Sequence, residues 1–103
     1  MSIKIRLDRE KIAGFCRKWK ITELALFGSV LRDDFKPHSD VDVLVTFAAD
    51  AQWTLFDLAH MEEELAGIVR RKVDLISRRG IERSPNYIRK KAILSSAEVI
   101  HAA

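Results

Sequence analysis

The chain has one cysteine, Cys16, two prolines and four glycines in 103 residues. A single thiol excludes an internal disulfide and fits a reducing compartment, so the expected location is cytoplasmic. His38, His60 and His101 lack zinc-ligand spacing and have no cysteine cluster beside them, which removes zinc chemistry. No apolar run approaches the roughly 18 residues of a membrane span. The polar beginning, SIKIRLDREK, does not read as a signal peptide. Repeats, linkers and low-complexity stretches are missing as well. Residues 1–103 are therefore expected to form one domain with no room for a second, substrate-recognition domain.

Hydrophobic content of 48% beside charged content of 32% fits a soluble globular protein with one ordinary core. The net charge is only +3, but its distribution is uneven. Acidic residues gather at 33–42 and 62–64. Basic ones gather at Arg70-Arg71-Lys72, Arg78-Arg79, Arg83 and Arg89-Lys90-Lys91. A basic second half beside an acidic site suits a polyphosphate substrate, an acidic partner or nucleic acid. For Lys90 and Lys91 a solvated helix surface is the better reading.

Residues 28–42 read GSVLRDDFKPHSDVD: Gly-Ser, ten residues, then Asp40-Val41-Asp42 ahead of the apolar run VLVTF. Residues two apart on a strand point to one face, so Asp40 and Asp42 would project together. Two neighbouring carboxylates repel unless a cation neutralises them. A hard divalent ion such as Mg²⁺, placed to receive substrate phosphates, answers that need. ELALF (23–27) reads as a buried strand that Gly28-Ser29 ends abruptly. Glycine permits a tight turn and close backbone approach to a phosphate, while the Ser29 hydroxyl and the following amides can donate to its oxygens. Taken alone, Gly28-Ser29 is an ordinary turn; with the Asp-Val-Asp at this spacing it is a nucleotide site.

This string resembles the signature of the DNA polymerase β-type nucleotidyltransferase superfamily. The fuller pattern, GSxxR followed by SDxD and a hydrophobic strand, is similar to the minimal nucleotidyltransferases, antitoxin-like partners of HEPN-domain toxins. The resemblance implies an α/β (α+β) nucleotidyltransferase fold, a small mixed β-sheet with helices packed against it. It also implies a third carboxylate on a neighbouring strand, and Asp74 in RRKVDLIS (70–77) fills that place. The alternative for Asp74 is an ion pair with Arg70, Arg71 or Lys72. In the implied reaction Asp40, Asp42 and Asp74 hold two Mg²⁺ ions. Gly28 and Ser29 bind the β- and γ-phosphates of ATP or another NTP. Arg32 either neutralises the same oxygens or pairs with Asp33 or Asp34, and Ser39 caps the loop or steadies Asp40.

Periodicity and capping supply the surrounding elements. Asp8 caps a helix to about Trp19, with Ile12, Phe15, Cys16 and Trp19 on one face. A short helix is expected at 30–34, a loop at 35–39 and a strand at 41–47. Thr54 caps a helix over 53–69 with Leu55, Leu58, Ala59, Met61, Glu62, Leu65 and Ile68 on its face. A strand covers 72–76, Gly80 breaks the chain, and Pro85 opens a further helix in which Tyr87 is partly buried. Residues 99–103 form a short strand or dock on a partner.

The leading function is Mg-dependent transfer of a nucleoside monophosphate, AMP from ATP, to a tyrosine hydroxyl of a HEPN toxin. A second is an inactive antitoxin that neutralises its partner by contact alone. A third is a nucleic-acid-binding or tailing protein. A homodimer and a hetero-oligomer are both compatible with the sequence.

Overall fold

The elements begin where side chains satisfy the backbone groups that a helix leaves open. In the computed structural model, which describes residues 7–31 and 40–102 and only the backbone of Ser29, Asp8 caps helix α1 (Arg9–Lys18). Its carboxylate accepts the Lys11 N–H at 3.2 Å. Glu10 in the first turn and Arg17 and Lys18 in the last oppose the helix dipole. Thr54 starts α2 (Leu55–Val69) with a reciprocal box: its hydroxyl accepts the Asp57 N–H at 3.2 Å, and Asp57 accepts the Thr54 N–H at 2.9 Å. Arg70, in a left-handed conformation at φ 59°, ends that helix.

Four strands form one mixed sheet in the order β3-β2-β1-β4. They are β1 (Ile21–Phe27), β2 (Val41–Phe47), β3 (Val73–Ser77) and β4 (Glu98–Ala102). The β1–β2 and β1–β4 pairs are antiparallel, whereas β2 and β3 run parallel with α2 as their crossover. The expected mixed sheet with helices against it is the observed fold.

Period-two alternation divides each strand between two cores. Leu24, Leu26, Val41, Val43, Val45 and Val73 pack on α1 and α2, through Ile12, Phe15, Cys16, Met61, Leu65 and Val69. Ala25, Phe27 and Leu44 face the other way. Ile81 from α3 (Arg78–Glu82) and Ile93 from α4 (Tyr87–Ser96) cover them. Cys16 is fully buried, and burial pushes its thiol up to about 11. It is a packed core thiol, as its place on the helix face indicates. Among the described residues, no helix is long and apolar enough to cross a membrane.

Four sequence-based expectations change. Gly80 lies inside α3 because the Ser77 hydroxyl caps that helix, accepting the Gly80 N–H at 3.0 Å. The next helix begins at Tyr87, two residues past Pro85, with Asn86 as its cap accepting the Arg89 N–H at 3.0 Å. Leu55 sits at the first position of α2 with 82% of its surface exposed, so the buried face is Met61, Leu65 and Val69. Tyr87 is likewise 65% exposed at the start of α4 rather than partly buried. The tail is an edge strand, β4, as one of its two readings held.

Candidate active site

Asp42 is the second residue of β2, between two valines with no exposed surface. Val41 and Val43 face the α1/α2 core, so alternation turns Asp42 to the opposite side. The same holds on β3, where Val73 is buried and Asp74 exposed. Parallel register pairs Val41 with Val73 and Asp42 with Asp74. The two aspartates are cross-strand neighbours on one face, on strands about 4.8 Å apart. The Val41 N–H, donating to the Lys72 carbonyl at 2.8 Å, fixes that register at its first residue. Asp40 lies one residue ahead of β2 and is exposed.

The glycine turn meets this pair from β1. Phe27, the last residue of β1, pairs with Asp42, so Gly28 follows directly beside the carboxylate. Gly28 has φ +77°, and a Cβ on it would collide with Asp42 Oδ2 and lie 3.2 Å from its Cγ. Only glycine fits there, on both conformational and steric grounds. The chain then makes one 3₁₀ turn, Gly28–Leu31, held by the fully buried Val30. Successive amides at such a turn form a concavity suited to an anion. Sequence reasoning passed over Val30, because one apolar residue in a short turn has no period to reveal it. It also missed the contact between Gly28 and Asp42, which depends on strand pairing rather than on spacing.

The structure thus brings together Gly28, Asp42 and Asp74, with Asp40 adjoining. Arg32, Ser39 and His38 lie outside the described residues, as do the Ser29 side chain and the helix expected beyond Leu31. None of the ion pairs among the described residues involves Asp74, so its alternative role beside Arg70, Arg71 or Lys72 gains no support. His60 on α2 and His101 on β4 belong to separate elements.

The donor set is all carboxylate oxygen, the ligand type of Mg²⁺ rather than of softer metals. Among the described residues no group of three His, Cys, Asp or Glu side chains converges as a ready-made metal cage. What is built is the scaffold: two carboxylates in register and the glycine turn against one of them. Directly opposed like charges repel across the two strands. A divalent cation fits both the chemistry and that electrostatic need.

The basic clusters fall at opposite ends of β3. Arg70, Arg71 and Lys72 precede it beside the aspartates, whereas Arg78 and Arg79 follow its last residue. These two clusters therefore stand at opposite ends of β3 rather than together.

Comparison with known proteins places the chain in a family. The family model "Nucleotidyltransferase domain" matches residues 9–99. A provisionally named protein adenylyltransferase of Methanocaldococcus jannaschii is 33% identical over 73 residues, 71% of this chain and 70% of that protein. A solved structure of a provisionally named minimal nucleotidyltransferase is 31% identical with a TM-score of 0.66, covering 87% of this chain and 86% of its own. A further match lies in a complex of a tri-AMPylated Shewanella oneidensis HEPN toxin with an MNT antitoxin. There the TM-score is 0.61 at 23% identity, covering 92% of this chain and 70% of that one, which is a likeness of fold. The chain belongs to the nucleotidyltransferase domain family, in its minimal branch, and is a nucleotidyltransferase.

Proposed function

We propose that this chain, acting as a single domain over residues 1–103, transfers AMP from ATP to a tyrosine hydroxyl of a HEPN toxin and so silences it. The observation that carries the reading is the in-register pair Asp42 and Asp74, with Gly28 packed against the Asp42 carboxylate. The protein adenylyltransferase relative and the fold shared with an antitoxin bound to an AMPylated HEPN toxin support the choice of nucleotide and partner.

Asp40, Asp42 and Asp74 would hold Mg²⁺, which when bound offsets the charge of the triphosphate and of the departing pyrophosphate. The amides of the Gly28–Leu31 turn, with Ser29, bind the β- and γ-phosphates. Arg32 adds a cation to the same oxygens, and Ser39 steadies Asp40. The acceptor oxygen then bonds to the α-phosphorus as the bridging α–β P–O bond breaks and pyrophosphate leaves. Asp74, exposed at the strand end, takes the hydroxyl proton.

Intact-mass analysis of a HEPN partner mixed with this chain and Mg-ATP tests the reading. We expect an increase of about 329 Da per transferred AMP, lost with Asp42→Asn or with EDTA. No increase, with the partner folded and bound, would overturn it. A second reading, neutralisation by contact alone, draws on the open spacing of the carboxylates among the described residues. It predicts that Asp42→Asn protects cells from the toxin as well as wild type does.

A further inference from the structure

The same two parallel strands that carry the aspartates at one end frame a cleft at the other. Its volume is about 420 Å³, and it opens where β2 and β3 finish. Phe47 in its lining stands five residues along β2 from Asp42, roughly 16 Å away at strand rise. This is a separate place, and the nucleotide chemistry does not use it.

One wall is apolar and fixed. Phe47, Trp53 and Leu58 form it. Trp53 is held by its indole N–H, which donates to the Trp19 carbonyl at 3.0 Å. Its ring stands edge-on to that of Trp19, with centroids 5.2 Å apart at 73°. The cleft is therefore built before any ligand arrives, and a ligand need not meet the cost of ordering the wall.

The facing rim is charged. Arg78, Arg79 and Glu82 line it. Arg78 is occupied, standing 3.6 Å from both Glu23 and Glu82. Among the described residues, the Arg79 guanidinium makes no ion pair or side-chain hydrogen bond. Glu23 and Glu82 share Arg78, so these charges balance overall, and Arg79 is the guanidinium left without a counter-ion among the described residues, beside a preformed apolar wall. Such a site selects an anion with an apolar body, because each half of the ligand meets its complement. The volume matches a small molecule.

We propose that this cleft binds a small organic anion carrying an aromatic or apolar group, independently of the nucleotide. The proposal goes beyond the transferase reading and does not rest on it. It makes the protein a two-site molecule, with one site at each end of the β2–β3 pair.

The test is a fluorescence titration of the full chain with 8-anilinonaphthalene-1-sulfonate, an aromatic sulfonate of suitable size. We expect saturable binding of one probe per chain. Arg79→Glu, which reverses the rim charge, should weaken it at least about tenfold, or 1.4 kcal/mol. Ala49→Phe, at an exposed position lining the cleft, should weaken it similarly by filling the space. Both positions are on the surface, so the melting temperatures of the variants should stay near that of wild type. Should either variant melt early, Arg79→Gln takes its place. Asp42→Asn should bind the probe as wild type does, and saturating Mg-ATP should not displace it. The assignment is overturned if binding does not saturate, if Arg79→Glu and Ala49→Phe bind unchanged, or if Mg-ATP competes.

Discussion

Two glycines show how strongly environment decides the effect of one methyl group. At Gly28 a Cβ would meet the Asp42 carboxylate, and φ is +77°. At Gly67, on the exposed side of α2, nothing lies within 4 Å of the same added atom. Gly28→Ala should therefore displace the Asp42 carboxylate as well as strain the backbone, at a cost of about 1–3 kcal/mol. Nucleotidyl transfer should fall at least about tenfold, since each 1.4 kcal/mol in the barrier is worth that factor. Gly67→Ala should raise stability by about 0.5–1 kcal/mol and leave transfer unchanged. Paired thermal melts and transfer rates would check both, and a Gly28→Ala protein with full activity would remove the turn from the site. At this scale the sequence is informative wherever the signal is local. Gly28, Ser29, Asp40 and Asp42 form a motif within fifteen residues. Asp74 could be placed only through a family resemblance. Its partnership with Asp42 belongs to strand pairing, which a linear pattern does not contain.

Elements were legible in proportion to how much of their pattern is internal. Asp8 and Thr54 mark two helix starts correctly because a cap and its first turn are a local contract between four residues. β2 could be read to its ends, since VDVLVTF is a short β-branched apolar run, buried on both faces from Val43 to Val45. The region after β3 was harder. Gly80 reads as a breaker by propensity, yet Ser77 satisfies its N–H and the short helix forms around it. How the sheet protects its edges could not be read from the sequence at all. Glu62, counted from its spacing as part of an apolar face, accepts the N–H of Leu75 on edge strand β3 at 3.0 Å. On the other edge, the Arg9 guanidinium donates to the Ile100 carbonyl at 2.6 Å. Each helix of the main core thus lends a charged side chain to an open strand edge, which blunts it as a template for pairing with another chain. Glu62→Ala removes the acceptor and should destabilise the fold by about 1–3 kcal/mol. Hydrogen exchange at Leu75 should accelerate while exchange in β1 stays slow. Equal acceleration in both strands would mean that Glu62 supports the whole sheet rather than its edge.

Across the whole molecule, function and stability pull against each other at one end of the sheet. The cores lie on both faces of the strands, and the aspartates stand where β2 and β3 begin, on the face opposite the buried Val41, Val43 and Val73. There Asp42 and Asp74 confront each other across a parallel register, an arrangement that weakens strand pairing by roughly 0.2–1 kcal/mol when both are charged. A fold selected for stability alone would place an asparagine or threonine at either position. A cation bound between the two carboxylates would offset that cost. Binding of any ligand to the native state alone raises its stability in proportion to the logarithm of ligand concentration over Kd. Asp74→Asn should therefore do two opposite things. Without ligands it should melt at the same temperature as wild type or slightly higher, because one of two like charges has gone. With Mg-ATP, wild type should gain about 2–3 kcal/mol at a hundredfold excess over Kd, whereas Asp74→Asn should gain little and transfer no nucleotide. The ordering of the two proteins would then reverse between the two melts. If Asp74→Asn is less stable than wild type without ligand and responds equally to Mg-ATP, Asp74 is a structural residue and the metal-binding role assigned to it is wrong.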